Sequence, residues 1–200
     1  MEHETLFTAS KWHILKALEL QPRSPLELAK VCNTSVANVS QQLRLLEMAG
    51  LVTSKRISNR DKDKPRVLYS LNGDLSYLIS TSGNFVDKKL VHLSDYNKII
   101  MRIWFFERPD MRYLIEKAFW RIEERLDKLT FLAFNKSSMS PLVFYYRTGT
   151  KLQLKPFTLA GRDGVTRQII FETALPSAEQ MYVLHDPLGI AQEKKRGGGK

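Results

Sequence analysis

The stretch SPLELAKVCNTSVANVSQQLRLLEMAGLV, residues 24–52, carries the strongest local signals for the fold of this 200-residue chain. Ser24 and Glu27 enclose a proline in the pattern of a capping box, in which serine and glutamate each bond to the other's backbone N–H. This pattern predicts a short helix that begins at Pro25 and ends near Cys32. Upstream, apolar spacing predicts another helix over 10–20.

The second half of this stretch predicts a longer helix over 36–49. Asn33 lies in the turn before it, since asparagine tolerates a left-handed backbone. Ser35 is placed to cap the first turn, and Gly50 to end the helix. One face repeats apolar residues at spacings of three and four, which predicts packing on a core. These residues are Val36, Val39, Leu43 and Leu46.

The opposite face of the longer helix is unusual for a surface in water, because small and amide side chains replace the expected Glu and Lys. Its residues are Ala37, Asn38, Gln41 and Arg44. Amide side chains can form paired hydrogen bonds with adenine, and arginine can do so with guanine, in the major groove of DNA. We therefore predict that this face binds bases and that Ser35 and Ser40 contact phosphates.

A basic hairpin is predicted directly after this helix. Period-two patterning favours strands over 51–57 and 66–71, joined by a polar loop over 58–65. Residues 55–66 form the densest basic cluster, and its cations are predicted to bind the DNA backbone or the minor groove. They are Lys55, Arg56, Arg60, Lys62, Lys64 and Arg66. The alternative is a loop that is polar only because water surrounds it.

Three helices followed by a basic hairpin resemble the winged helix-turn-helix of ArsR-type transcriptional regulators from bacteria and archaea. The resemblance covers residues 6–72. Its marks are Leu28-Ala29, Ser35, Val39-Ser40, Leu43, Leu46 and the run AGLV at 49–52. It implies a cytoplasmic regulator that binds double-stranded DNA and usually represses transcription, with activation left open as the alternative. Because one short helix reads few bases, we expect a homodimer. A small-molecule or protein effector is left open.

The chain as a whole is predicted to be α+β and to divide into four parts. These are a winged helix-turn-helix domain over 1–80, a helical dimerisation region over 85–130, an α+β module over 131–190 and a basic tail over 191–200. The wing is followed by an expected helical turn at Leu75–Ile79 and a domain boundary at Ser80–Asn84.

The dimerisation region is predicted to contain two helices, over 85–106 and 111–129. Both carry wide apolar faces, which must be buried against other apolar surface. We expect these faces to meet between two copies of the chain. The residues predicted at that interface are Ile100, Ile103, Trp104, Leu114, Ala118 and Ile122.

The last module is expected to hold strands over 131–134, 142–146, 152–157 and 166–171, with a final helix over 177–184. Residues 177–189 resemble the end of minimal nucleotidyltransferase domains, but the Gly-Ser and paired-Asp metal motif of those domains is missing. A degenerate module of that kind is the third alternative for function. We expect no enzyme activity and no cofactor, since the sequence contains none of the common catalytic motifs.

The composition is that of a globular chain with a polyanionic partner. Hydrophobic residues make up 43% and charged residues 26%, and 31 Lys and Arg against 21 Asp and Glu give a net charge of +10. The start of the chain lacks the pattern of a secretory signal, and no apolar run is long enough to span a bilayer. A soluble protein without a membrane partner is therefore expected.

Metal sensing is the first alternative for a chain that resembles ArsR-type regulators. The single cysteine, Cys32, excludes a cysteine-only metal cluster, and the four histidines lack the spacing of metal ligands. No metal site is predicted. A further alternative is an interaction adapter, in which the winged helix contacts proteins of a transcription or chromatin assembly instead of DNA.

Overall fold

The computed structural model describes residues 9–58, 66–138 and 140–191, and the chain divides into two compact units, Met1–His92 and Leu93–Lys200. Each unit has its own core. The N-terminal unit contains helices α1 (Ala9–Leu18), α2 (Pro25–Val31) and α3 (Val36–Met48), then strands β1 (Val52–Ile57), β2 (Arg66–Leu71), β3 (Leu75–Ser82) and β4 (Phe85–His92).

The local signals in residues 24–52 are confirmed. Both capping-box hydrogen bonds are present at Ser24 and Glu27, and Ser35 caps α3 by accepting from the N–H of Asn38. Asn33 has a φ of 48° and Gly50 a φ of 73°, the left-handed conformations that these residue types tolerate. The sequence therefore breaks the chain into helices at the predicted places.

The core of the N-terminal unit lies between the three helices and the start of β1. Its buried residues are Ile14, Leu18, Leu28, Ala29, Val39, Leu43, Leu46 and Val52. Val36, predicted to join this stripe, is instead 42% exposed at the first position of α3. The α3 helix is thus held by three buried side chains, one from almost every turn.

Two separate antiparallel hairpins follow the helices. In the first hairpin β1 pairs with β2, from Val52 opposite Leu71 to Ile57 opposite Arg66. In the second hairpin β3 pairs with β4, with Ser82 opposite Phe85. A two-residue turn, Gly83-Asn84, therefore joins β3 to β4.

The second hairpin corrects three predictions from the sequence. The expected helical turn at Leu75–Ile79 lies within β3, and the expected boundary at Ser80–Asn84 is the end of β3 and the turn. The expected helix over 85–106 begins only at Asp95, because Phe85–His92 form β4. The physical reason is the pairing itself: along eight cross-strand positions, hydrogen bonds between the strands take the place of those within a helix.

The C-terminal unit contains helices α4 (Asp95–Phe105) and α5 (Pro109–Trp120), a 3-10 helix at Glu123–Lys128 and five further strands. The strands are β5 (Leu129–Asn135), β6 (Leu142–Thr148), β7 (Phe157–Ala160), β8 (Thr166–Glu172) and β9 (Met181–His185), with a 3-10 turn at Ala178–Gln180 before β9. They form one sheet in the order β7-β8-β6-β5-β9, in which only β6 and β8 are parallel.

Three predictions for this unit are corrected as well. The helix expected over 111–129 ends at Trp120 and is followed by the 3-10 helix. The strand expected over 152–157 is irregular until Phe157, and the helix expected over 177–184 is a 3-10 turn over Ala178–Gln180 followed by the start of β9. In β9 the apolar residues pair with β5, and the gain from completing the sheet exceeds the weak helical pattern of a short segment.

The helices of the C-terminal unit pack on one face of its sheet. Their buried residues include Ile99, Ile103, Leu114, Ala118, Phe119 and Ile122, which share one core with Leu132, Phe134, Phe144 and Ile169 of the sheet. Helices and sheet therefore form a single folding unit, in contrast to the predicted separation into a helical region and a module.

Candidate nucleic-acid interface

The exposed face of α3 is set by its buried face. Val39, Leu43 and Leu46 are buried to within 1% of full burial, which fixes the rotation of the helix about its axis. At 100° per residue, Gln41 then lies nearly opposite this stripe, and it is exposed as predicted. The other exposed side chains on the predicted surface are Ser35, Ala37, Ser40 and Arg44.

Asn38 differs from the other predicted base-contacting residues because its side chain is partly buried and bonded within the helix. Its Nδ2 donates to Thr34 Oγ1 at 3.0 Å, and its Oδ1 accepts from Gln42 Nε2 at 3.4 Å. The amide group therefore helps to hold the start of α3. Paired hydrogen bonds from Asn38 to a base would require breaking these contacts.

Met48 extends the exposed face at the C-terminal end of α3, and the sequence analysis missed it. Its side chain is 79% exposed, one turn beyond Arg44. Met48 follows Arg44 by four residues and Gln41 by seven, so helical geometry places it on the same face. The sequence alone could therefore have predicted it. An apolar side chain here could contact the methyl group of thymine, which is the apolar feature of the major groove.

The basic residues predicted in the first hairpin fall into three groups. Lys55 and Arg56 are exposed on β1. Arg66 is the first residue of β2, at the loop end of the hairpin, and binds Glu27, with 3.0 Å between Nη2 and Oε1. Arg60, Lys62 and Lys64 lie outside the described residues.

Arg66 and Glu27 link the loop end of the first hairpin to the start of α2. Glu27 Oε2 accepts 2.8 Å hydrogen bonds from the backbone N–H and from the hydroxyl of Ser24. These bonds from Ser24, together with the Arg66 guanidinium, hold the pKa of the Glu27 carboxyl below its usual value of 4.5. Arg66 therefore has a structural contact that the sequence analysis did not foresee, 39 residues away along the chain.

Two further contacts fix the first hairpin relative to the helices. Arg23, between α1 and α2, exchanges backbone hydrogen bonds with Tyr69 of β2, at 3.0 and 2.8 Å. The hydroxyl of Ser54 on β1 donates to Glu47 of α3 at 2.6 Å. The first hairpin is therefore bonded both to the segment between α1 and α2 and to α3.

The side chains predicted to form a dimer interface are occupied mainly within one chain. Ile103, Leu114, Ala118 and Ile122 are at most 4% exposed and belong to the core of the C-terminal unit. Ile100 is partly buried against that core, whereas Trp104 is 54% exposed. The prediction is therefore wrong for these four buried residues. They cannot contact a second copy, because the sheet covers the faces of α4 and α5 that carry them.

Cys32 and His185 are residues with metal-binding chemistry whose pKa values the fold shifts, within the described part of the chain. Burial raises the pKa of the half-buried Cys32 thiol, which disfavours the thiolate that binds metals. Burial lowers the pKa of His185, whose Nε2 lies 3.2 Å from the carbonyl oxygen of Leu129. Within residues 9–58, 66–138 and 140–191, no group of three His, Cys, Asp or Glu side chains is arranged to hold a metal ion.

The helices can also be compared with the requirements for crossing a membrane. Across the described part of the chain, no helix combines the length and the apolar character that crossing a bilayer requires.

A comparison with known protein families matches the N-terminal helices. A family model described as a helix-turn-helix domain matches residues 13–55, which run from α1 into β1 and include the whole of α2 and α3. No curated protein matches the chain. The N-terminal unit therefore carries a helix-turn-helix domain, which supports DNA-binding transcription regulation as the role of the chain.

Proposed function

We propose that this protein is a sequence-specific regulator of the ArsR-type winged helix-turn-helix class and that α3 enters the major groove of DNA. The observation that carries the proposal is the composition of the exposed face of α3. Ala37, Gln41 and Arg44 present a small side chain, an amide and one cation, and all three are exposed. Because no carboxylate lies at the centre of this face, phosphates are not repelled and base edges can be approached closely.

Each exposed side chain has a role that its chemistry supports. Gln41 would bond to the N6 and N7 atoms of adenine, and Arg44 to the O6 and N7 atoms of guanine. The hydroxyl of Ser35 accepts from the N–H of Asn38 at 3.1 Å and keeps its own proton for a phosphate oxygen. Ser40 would contact a second phosphate on the same strand.

The first hairpin would act as the wing that binds the DNA backbone. Lys55 and Arg56 are exposed and contribute charge without sequence information. Arg66 instead bonds to Glu27, so its role would be to position the hairpin beside α3. The wing therefore separates into residues that bind phosphate and a residue that positions them.

A homodimer that blocks a promoter is the form in which we propose that the protein acts. One recognition helix reads too few base pairs for useful specificity, and a two-fold dimer doubles the site. Exposed apolar side chains on one face of the second hairpin support a contact there: Tyr77, Ile79 and Val86. This location replaces the interface predicted on α4 and α5. The proposal gives the C-terminal unit no catalytic role.

The test begins with selection of the preferred duplex from a random pool by the full-length protein. Gln41→Ala should then weaken binding to that duplex by about 1–3 kcal/mol while leaving binding to random DNA nearly unchanged. Its stability should stay within about 0.5 kcal/mol of wild type, because the side chain is exposed. Gln21→Ala, the same change at an exposed site outside α3, is the matched control.

The outcome of this experiment separates DNA reading from the alternatives. Equal loss of binding to selected and random DNA would show that α3 does not read bases. Failure of the pool to yield any preferred duplex would favour the interaction adapter, in which the same helices contact protein.

A further inference from the structure

A pocket in the C-terminal unit combines three cations with an apolar floor. It has a volume of about 370 Å³ and lies between the segment after α5, which includes the 3-10 helix Glu123–Lys128, and the irregular segment that precedes β7. Arg121, Arg125 and Lys155 are exposed around it. Ile122 and Leu154 are each 4% exposed and form its floor.

The lining of this pocket, as the structure describes it, holds cations without an acidic residue beside them. Among the residues that the structure describes, the pocket lining contains no carboxylate, and none of the three side chains forms an ion pair with another described residue. Three like charges around one concavity repel one another, and a bound anion would remove that repulsion. The pocket is therefore electrostatically complementary to an anion with more than one charge.

Two contacts give the pocket a defined shape. The Arg121 guanidinium lies 5.5 Å from the centre of the Phe157 ring, a cation–π contact that restricts its orientation. The backbone N–H of Leu154 donates to the Tyr146 hydroxyl at 3.3 Å, which satisfies this N–H at the buried floor. Gln153 adds a neutral amide to the lining, able to donate to and accept from a hydroxyl group.

We propose that this pocket binds a small phosphate monoester. Such a group carries close to two negative charges near neutral pH and has three acceptor oxygens, which match two guanidinium groups and one ammonium group. The volume is at the lower end of small-molecule pockets and suits a body of about the size of a sugar. Gln153 and the apolar floor would contact that body.

The shape of the pocket favours a small molecule over a nucleic acid strand. A strand presents single charges at regular intervals along a line, whereas these three cations surround one cavity with a buried floor. This inference does not depend on the proposed DNA binding, and it assigns a ligand to the unit that lacks the helix-turn-helix domain.

The test uses calorimetric titration of the full-length protein with ribose 5-phosphate, with ribose and inorganic phosphate as separate probes. Ribose 5-phosphate should bind most tightly, inorganic phosphate more weakly, and ribose without measurable heat. Arg125→Gln combined with Lys155→Gln should weaken ribose 5-phosphate binding by about tenfold or more, because the two substitutions remove two charge-assisted hydrogen bonds.

The matched control is Lys128→Gln combined with Lys151→Gln. It removes the same charge from the same two segments, at exposed positions outside the pocket lining. Its affinity for ribose 5-phosphate should stay within about twofold of wild type, since screening weakens distant charges. Equal loss in both double variants would overturn the proposal, as would the absence of ribose 5-phosphate binding or equal affinity for inorganic phosphate.

A titration with duplex DNA tests whether the cations of the pocket bind the phosphates of DNA instead of a small phosphate monoester. If the pocket variant loses DNA affinity and the wild type does not bind ribose 5-phosphate, the cations belong to a nucleic-acid surface and the proposal fails. Gln41→Ala should leave ribose 5-phosphate binding unchanged, so failure of the DNA-reading proposal and failure of this one are observed separately.

Discussion

The two hairpins of the N-terminal unit share antiparallel pairing but differ in what holds them. The first hairpin has Val52 in the core, exchanges backbone bonds with Arg23 and receives the ion pair between Arg66 and Glu27. Each hairpin forms a two-stranded sheet of its own, but both strands of the second hairpin are exposed over most of their length. Leu90, near its base, lies beside Gly50.

Because the two hairpins differ in what packs against them, we assign them different roles. An isolated two-stranded hairpin is marginal in water, and its stability comes from packing or from added partners. The first hairpin gains stability from the helices and leaves polar side chains free to contact a ligand. The second hairpin exposes apolar side chains, so a partner chain is the source of stability that we propose for it.

The largest expected effect is the loss of the proposed dimer when the apolar face of the second hairpin is charged. Ile79→Asp places a carboxylate opposite Lys88, which preserves the hairpin by an added cross-strand pair. Light scattering should show a monomer, and affinity for a two-fold DNA site should fall by about tenfold or more, because two half-sites are no longer bound together.

The matched control for Ile79→Asp is Ser80→Lys, which adds a charge opposite Asp87 on the other face of the same hairpin. Light scattering should show that this variant keeps the mass of the dimer. A wild-type protein that scatters as a monomer would remove the proposed role of the second hairpin.

Truncating one valine in each hairpin should show how much each hairpin contributes to the free energy of unfolding. Val52 is 2% exposed and Val86 is 78% exposed. Val52→Ala should destabilise the N-terminal unit by about 2 kcal/mol, from lost burial and a residual cavity. Val86→Ala should change stability by no more than about 0.5 kcal/mol.

Hydrogen exchange of the amides in α1 and α3 is the suitable measurement for the valine pair, because it reports the N-terminal unit alone. A loss of similar size in both variants would show that the second hairpin packs as tightly as the first. The comparison between the two hairpins would then be wrong.

Removing adjacent cations from each hairpin should show which one touches DNA. Lys55→Gln with Arg56→Gln should flatten the dependence of log affinity on log salt by about 1 for each phosphate that is no longer neutralised. Lys88→Gln with Lys89→Gln removes the same charge from the second hairpin and should leave this slope unchanged. Slopes are measured by titrating random duplex DNA at several salt concentrations, and identical slopes would contradict the wing assignment.

The smallest effect is expected from the ion pair between Arg66, at the loop end of the first hairpin, and Glu27. Because both side chains are more than 40% exposed, Arg66→Gln should cost about 0.5 kcal/mol. The folded-state pKa of Glu27 is lowered, so its contribution to stability is present above the usual 4.5 and is lost as the pH falls through the lowered value.

Thermal unfolding of wild type and Arg66→Gln at several pH values checks this expectation. The difference between the two proteins should shrink as Glu27 becomes protonated. A difference that stays constant down to acid pH would assign the effect of Arg66 to packing instead of charge.

The N-terminal helices were predictable because their signals are local. Ser24 and Glu27 are three residues apart, and Asn33 and Gly50 act through their own backbone angles. The exposed face of α3 followed from the positions of Val39, Leu43 and Leu46. The family match over 13–55 supports the same part of the chain.

The second hairpin was missed because its apolar spacing fits two kinds of structure. Val86 and Leu90 are four residues apart, which places them on one face of a helix and equally on one face of a strand. The turn Gly83-Asn84, between two segments rich in β-branched and aromatic residues, was the signal that could have decided the question.

Other parts of the site could not be predicted, because they depend on residues distant in sequence. Arg66 appeared to be one more cation of the wing until its bond to Glu27 was known. Ile103 and Ile122 had the apolar spacing of an interface, but the sheet formed later in the chain covers them. Spacing shows that a face must be buried and does not show which surface buries it.

The pairing of β3 with β4 has a consequence for how the chain is made. Strand β3, with the sequence LSYLISTS, contains no charged residue, and the charges of the second hairpin stand on β4 at Asp87, Lys88 and Lys89. During synthesis β3 leaves the ribosome before those charges do. For that interval the nascent chain presents an uncharged segment rich in β-forming residues, of the type that self-associates. The two-residue turn keeps this interval short by placing the charged partner strand immediately behind.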